Sequence, residues 1–364
     1  MKNIAIIISS MGGGGTQQYI LSLVNYLVNK DIKVFIYLTD YIDNTVEVKN
    51  AQIINLKNNN KGFIRNLNLI FSIRSQLKLD NIDKVISFLP KVNCISIIAN
   101  FGLLSKLTVC ERNDLIKQKI PLLWNFLRYF LYYFAENITV NSLFGLSILK
   151  KRYPCKKNIF FTNNFIRGDI QNKLKINENI LQDNFKYKII GIGRLDPQKN
   201  FKELIYAFSK VRETNSSLYI LGNGPEKGFL ESLIEKLDLT ERVFLIPFRR
   251  NLNSWLNKSD IHIMTSLFEG SPNVLWEASF LSIPSIVSSN INAAFEILKP
   301  NEEILKYRSG DIDDLASKID YLLKNKSILK KVSQNAKISV DFLSKDSIFD
   351  IWIQILNLDK SISQ

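Results

Sequence analysis

Four side chains in the second half of the chain have the types and spacing to hold a phosphorylated, hydroxyl-rich ligand: Arg194, Lys199, Glu269 and Glu277. Arginine offers a planar fork of donors and lysine a point charge, a fitting pair for a diphosphate. The two carboxylates lie eight positions apart in Phe268-Glu269-Gly270-Ser271-Pro272-Asn273-Val274-Leu275-Trp276-Glu277-Ala278. With a helix starting near Pro272, Glu269 falls in the preceding loop and Glu277 on the second turn. Gly270 lets backbone come close to a ligand, and the unpaired amides of a helix start form an anion site. One turn thus offers carboxylates to hydroxyls and amides to phosphate, a combination that suits a nucleotide-linked sugar. Solvated acids in an ordinary loop-to-helix turn, and exposed basic residues in another, are the plain alternative at this point.

The elements that must position these groups read as alternating strands and helices. In the second half, a strand over 187–192 runs into Gly193-Arg194-Leu195-Asp196-Pro197-Gln198-Lys199-Asn200, followed by a helix over 201–212. Strands over 218–221, 243–246, 261–265 and 282–288 follow, the first entering Gly222-Asn223-Gly224-Pro225-Glu226 and the second ending at Pro247-Phe248-Arg249-Arg250. From Gly310 onward the pattern is helical, with a final helix over 348–358. The first half predicts strands over 3–8, 34–38, 52–56, 84–89, 107–110, 138–140 and 159–162, with helices between several of them. Continuous apolar runs of this length suit parallel sheets covered on both faces and joined by right-handed crossovers. Ligands in such sheets bind beyond the carboxyl ends of the strands. In the first half those ends carry Gly12 to Gly15 with Thr16, Ser87 to Pro90, and Glu111-Arg112-Asn113-Asp114. The glycine loop lacks both the G-x-G-x-x-G spacing and a Walker lysine. It is either a tight turn or a loop facing a ligand, and the Glu111 tetrad is either a polar site or a charged turn with an Asp cap.

The chain has 364 residues, 46% hydrophobic and 23% charged, which suits two globular domains. Its net charge of +14 is lopsided, because residues 1–182 carry 24 Lys/Arg against 11 Asp/Glu and residues 183–364 carry 24 against 23. Such asymmetry points to an anionic partner for the first half, or to a Lys-rich composition. The segment from Pro121 to Phe134 is helical by length and densely aromatic; it is either a buried domain helix or one seated in a membrane interface. The basic cluster Lys150–Lys157 lies in the same half. No recognition helix, finger spacing or RNP stretch supports nucleic acid. The single histidine, His262, sits in an apolar run and reads as a satisfied core residue. Cys94, Cys110 and Cys155 suggest neither a disulfide framework nor a zinc site. The N-terminal apolar run is too short for a signal segment, and no run reaches spanning length, so a cytoplasmic location is expected.

The run Gly191-x-Gly193-Arg194-Leu195-x-x-x-Lys199-Asn200, the Gly222-x-Gly224-Pro225 turn and Glu269-Gly270-x-Pro272-Asn273-x-x-x-Glu277-Ala278 together resemble the retaining family-4 glycosyltransferases. The resemblance extends over almost the whole chain. It implies the α/β GT-B fold, with two Rossmann-like doubly wound domains facing an interdomain cleft. The domains would be 1–166, binding acceptor, and 185–342, binding nucleotide sugar, with a C-terminal helix over 343–364 packing back on the first. It implies that Arg194 and Lys199 hold the diphosphate, Glu277 the ribose and Glu269 the transferred sugar. Gly193, Gly222, Gly224, Gly270, Ser271, Asn273, Val274 and Leu275 would line the donor, and Phe248 and Arg249 the base. Gly13, Gly14, Gly15 and Thr16 would reach in from the other wall. Many members place a histidine in the first domain; this chain has none there, and Glu111, Arg112 and Asn113 stand at the comparable strand end as acceptor-positioning candidates. The implied activity is metal-independent transfer of a hexose or N-acetylhexosamine, from a donor expected to be UDP-linked, to a polyprenyl-linked or polysaccharide acceptor in bacterial surface-glycan synthesis. The protein would lie on the inner face of the membrane, on anionic lipid through Trp124–Phe134 and Lys150–Lys157. A GT-B sugar-nucleotide epimerase and a catalytically silent sugar-nucleotide-binding scaffold are the alternatives.

Overall fold

The computed structural model describes residues 2–11, 15–42, 51–166, 170, 184–249, 251–343 and 345–358. Gly13, Gly14, Arg250 and almost all of the linker expected over 167–184 lie outside them. The chain divides into two units, Met1–Asn164 with Asp346–Gln364, and Phe165–Lys345.

The first unit is built on a seven-stranded parallel sheet in the order β3-β2-β1-β4-β5-β6-β7. Its strands are β1 (Asn3–Met11), β2 (Lys33–Ile42), β3 (Gln52–Asn55), β4 (Lys84–Phe88), β5 (Lys106–Glu111), β6 (Asn137–Val140) and β7 (Ile159–Phe161). The helices are α1 (Gly15–Val28), α2 (Gly62–Leu79), α3 (Pro90–Asn100), α4 (Leu122–Leu131) and α5 (Leu143–Arg152). The apolar runs predicted this layering: Ile4 to Ile8 is wholly buried because helices cover both faces of the sheet. The segment 121–134 is not one helix. α4 ends at Leu131 and a 3-10 turn, Tyr132–Phe134, follows. Nor is it uniformly apolar in its surroundings, since its one charged residue, Arg128, is among its most buried and the outward side carries the aromatic rings.

The second unit has a six-stranded parallel sheet in the order β10-β9-β8-β11-β12-β13. Its strands are β8 (Tyr187–Ile192), β9 (Ser216–Leu221), β10 (Val243–Ile246), β11 (Ile261–Met264), β12 (Ser285–Ser288) and β13 (Leu305–Tyr307). The helices are α6 (Phe201–Ser209), α7 (Lys227–Lys236), α8 (Leu252–Asn257), α9 (Asn273–Phe280), α10 (Asn292–Phe295), α11 (Ile312–Lys324) and α12 (Lys326–Val340). α13 (Lys345–Ile355) closes the described chain. β13 escapes the sequence reading because it is three residues long and its middle residue, Lys306, is exposed, which leaves no apolar run. The last helix begins earlier than the 348–358 expected from periodicity.

α13 packs within the first unit. Trp352 Nε1 donates to Tyr19 Oη at 2.6 Å, Asn137 Nδ2 to the Ile355 carbonyl at 3.2 Å, and Phe349 stacks edge-on to Tyr19.

Candidate functional site

In the second unit, the loops after β8, β9, β10 and β11 all leave the carboxyl edge of one parallel sheet, where the central strand β8 lies between β9 and β11. The loop after β8 lies backbone on backbone against the loop after β9. Gly193 N–H donates to the Leu221 carbonyl (3.0 Å), Leu195 N–H to Asn223 O (2.9 Å) and Glu226 N–H to Leu195 O (3.0 Å). A β-carbon at Gly222 would stand 1.8 Å from the Gly193 carbonyl oxygen, and one at Gly224 would stand 2.2 Å from that of Leu195. These two glycines, expected to line the donor, are therefore required by the approach of two stretches of chain. At Gly193 the nearest neighbour is the Lys199 stem, whose Cε would lie 2.9 Å from an added β-carbon.

The same loop is stitched to the one after β11. Leu267 N–H donates to the Gln198 carbonyl (2.8 Å), Gln198 Nε2 to the Phe268 carbonyl (3.0 Å) and Thr265 Oγ1 to the Lys199 carbonyl (2.8 Å). The result places Lys199 Nζ 2.6 Å from Glu269 Oε1, with the side chains 20% and 10% exposed. Arg194 Nε meets Asp196 Oδ2 at 2.6 Å, and its side chain stays 73% exposed. Asp196 also accepts from the Lys199 amide through Oδ1 at 3.2 Å. Asp196 thus holds the guanidinium and shapes the turn that aims the ammonium. The sequence reading did not single out Asp196, Gln198 or Thr265; the first two lie inside the quoted Arg194–Lys199 run, where their types were the available signal. Asn200, next in the chain, takes a left-handed conformation at φ 53°, which asparagine tolerates better than most residues.

α9 starts one residue later than expected, with Pro272 as its N-cap. Asn273 N–H donates to Ser271 O and Leu275 N–H to Pro272 O, both at 3.0 Å. These amides are engaged inside the turn, so the helix start offers an anion fewer donors than the sequence suggested. Ser271 Oγ accepts from Trp276 Nε1 at 3.0 Å, which places that hydroxyl in a packing role. Glu277 is buried on the second turn of α9 and Gly270 is buried in the loop before it, while Asn273 and Val274 are half-buried and Leu275 is fully buried. Phe248 and Arg249 follow β10; the Phe248 amide donates to Asn223 Oδ1 at 3.2 Å, which ties that segment to the loop after β9.

His262, on β11, is fully buried with Nδ1 3.1 Å from Ser285 Oγ and, among the described residues, no partner for Nε2. It is the core residue expected, hydrogen-bonded at one ring nitrogen. Burial, reinforced by the Lys199 charge, pushes its pKa down to about 3, so it is neutral at physiological pH.

In the first unit, Glu111 departs from its expected role. It ends β5 with no exposure, accepting from Tyr132 Oη at 2.5 Å and lying 3.5 Å from Arg128. Asn93 Nδ2 donates to Tyr132 Oη (2.8 Å) and to the Cys110 carbonyl (3.1 Å), while Ser87 Oγ donates to Asn93 Oδ1 (2.6 Å). Burial raises the Glu111 pKa against the opposing pull of Arg128. This network fastens α4 to the sheet and takes Glu111 away from any acceptor. Arg112 points elsewhere. Its guanidinium lies 4.2 Å from the Tyr19 ring and 5.9 Å from Trp352, and Nη1 donates to the Thr162 carbonyl at 2.7 Å. Asn113 accepts from the Asp114 amide at 2.9 Å, and Asp114 Oδ1 accepts from Ile116 and Lys117, the Asp-capped turn weighed as the alternative. Gly15 and Thr16 open α1. Among the described residues, no group of three or more His, Cys, Asp or Glu side chains is placed to hold a metal ion.

Residues 172–339 match the family model described as glycosyl transferases group 1. Over 98% of both chains, the sequence is 25% identical to the Campylobacter jejuni GalNAc-alpha-(1->4)-GalNAc-alpha-(1->3)-diNAcBac-PP-undecaprenol alpha-1,4-N-acetyl-D-galactosaminyltransferase. It is 24% identical to the amylovoran biosynthesis glycosyltransferase AmsD of Erwinia amylovora, over 98% of this chain and all of that one. The fold is shared with Anabaena HepE, solved in complex with UDP, at a TM-score of 0.81 and 16% identity, covering 98% of this chain and 100% of that chain. A Rickettsia africae glycosyltransferase matches at 0.81 and 18% identity, covering 99% of each.

Proposed function

We propose that this chain, as the bearer of a group 1 glycosyltransferase domain over residues 172–339, moves a hexose or N-acetylhexosamine from a UDP-linked donor to a lipid-linked or polysaccharide acceptor in the assembly of a bacterial surface glycan. The observation that carries the reading is the Lys199–Glu269 pair, brought to 2.6 Å at the carboxyl edge of a parallel sheet by two loops stitched together. Breaking the anomeric C–O bond leaves negative charge on the diphosphate and positive charge on the sugar. Lys199 and Arg194 supply fixed cations for the leaving group, the kind of preorganised electrostatic stabilisation that dominates many enzymes. Glu269, which holds Lys199 in place, accepts hydroxyls of the transferred sugar, and Glu277 those of the ribose. The acceptor attacks from the face the diphosphate leaves, within one ion-pair-like complex, and configuration is retained without an enzyme nucleophile.

The UDP assignment draws on HepE, solved with that nucleotide, and the lipid-linked acceptor on the Campylobacter relative, whose name specifies an undecaprenol diphosphate glycan. We assign the leaving-group charge to Lys199 and Arg194 alone, so transfer needs no metal. The location proposed is the inner face of the membrane, with α4 and Lys150–Lys157 against anionic lipid. No helix among the described residues is long and apolar enough to cross it.

Transfer from a panel of UDP- and GDP-sugars to a lipid extract, wild type against Lys199→Ala, tests the reading. Wild type should glycosylate lipid with retention and keep doing so in EDTA, while the variant falls about 100- to 1,000-fold. Interconversion of UDP-N-acetylhexosamine without acceptor would identify an epimerase instead. Donor binding without turnover would leave a scaffold.

A further inference from the structure

We infer that α2 is a second membrane-seating ridge, and that α2, α3, α4 and α5 together present one face of the first unit to an anionic lipid bilayer; this deepens the lipid-linked reading above and rests on it. The four helices form a connected layer. α2 packs on α3 and α3 on α4. Tyr153, just past α5, packs its ring on Tyr133 and donates to the Arg128 carbonyl of α4. Arg74 of α2 donates to the Ala99 and Phe101 carbonyls at the end of α3, and Phe101 in turn lies edge-on to Phe134 beyond α4.

On the inward side of α2, Leu69, Ile73 and Leu77 enter the core. The outward side carries Phe63, Ile64, Leu67 and Phe71, spaced one, three and four apart, which sets them in one stripe. Phe63 is 74% exposed and Phe71 67%. α4 shows the same arrangement, with Leu122 at 87% and Phe126 at 63%. Rings this open, on two helices flanking a third, exceed the scattered apolar exposure of an ordinary surface. Between them a groove of about 390 Å³, lined by Ile97, Ile98, Phe101, Leu131, Phe134 and Arg74, opens among the helix ends.

Charge selects the occupant. Every charged residue on α2, α3, α4 and α5 is Lys or Arg; Arg128 is buried against Glu111, and the cations nearer the surface are Arg65, Arg74, Lys78, Lys91, Lys150, Lys151 and Arg152. A second copy docking through the same face would set cations against cations, as a two-fold interface requires. An anionic bilayer answers both properties at once, with apolar rings at the acyl boundary and cations at the headgroups.

Phe63→Gln with Phe71→Gln tests the inference, because glutamine keeps the helix and neither ring supports the core. Co-sedimentation is measured with vesicles of phosphatidylglycerol and phosphatidylcholine in equal amounts, and with phosphatidylcholine alone. Wild type should bind the anionic vesicles in preference, and the double variant, melting as wild type does, should bind them at least about tenfold more weakly, the scale of one buried ring. Its turnover of a short-chain, water-soluble acceptor should be unchanged. Equal binding by the double variant, while Leu122→Gln with Phe126→Gln loses it, would overturn the role of α2. Equal binding of wild type to neutral and anionic vesicles would overturn the charge argument, and a dimer broken by the α2 variant without vesicle binding would assign the face to a second copy. Vesicle binding that depends on α2 in a protein that transfers no sugar would uphold the docking face and sink the glycosyl-transfer reading alone.

Discussion

Asp196 touches both cationic elements of the candidate site, the Arg194 guanidinium and the Lys199 amide. Substituting Asp196→Asn keeps the shape but removes the charge that orients Arg194. The expected result is a several-fold fall in kcat/KM for the donor, read by steady-state kinetics, since a misaimed guanidinium stabilises the departing diphosphate less well. His262 makes a separate prediction about stability. Its folded pKa of about 3 lies below its ordinary value of 6.5. The unfolded chain therefore binds a proton that the folded chain refuses, so this contribution is complete above pH 6.5 and is lost as pH falls toward 3. Denaturant titrations should show His262→Asn losing stability less steeply between pH 6 and 4, by about one proton, or roughly 1.4 kcal/mol per pH unit. A variant with the wild-type slope would mean that the imidazole reaches water.

At the scale of elements, two glycines give opposite expectations for the same substitution. Gly222→Ala drives a methyl into the Gly193 carbonyl, so either the loop after β9 or the loop after β8 must move. Stability should fall by several kcal/mol, and donor-induced thermal stabilisation should shrink with it. Gly228, in the first turn of α7, has open space where a β-carbon would go. Gly228→Ala should raise stability by up to about 1 kcal/mol. Calorimetry on the pair separates a glycine demanded by packing from one that is incidental. The buried network at the end of β5 works at this scale too: Tyr132 bridges Asn93 and Glu111, which positions α4 with its rings outward.

Across the whole molecule, the two sheets repeat one architecture, and the chain ends by returning α13 to the first unit. Trp352 is fully buried, bonded to Tyr19 and set near the Arg112 guanidinium. Trp352→Ala should cost about 3–5 kcal/mol, which thermal unfolding checks.

The order of strands and helices was legible in the sequence because buried parallel strands are continuous apolar runs, and Ile4 to Ile8 or Ile261 to Met264 admit few other readings. The candidate motifs stand out in the sequence because Arg194, Lys199 and Glu269 sit with glycines in loops leaving strand ends, a local signal; of these the structure pairs Lys199 with Glu269. By itself the sequence determined which residues could do chemistry, and that the first half carries the positive charge. Only tertiary structure decided which of them meet. Contacts between Lys199 and Glu269, or between Glu111 and Tyr132, join residues far apart in sequence, and no periodicity encodes them. The same holds for Gly222 and Gly224, whose reason is a neighbouring backbone, and for the outward stripe of α2, which shows itself only once Leu69, Ile73 and Leu77 are seen to take the inward side.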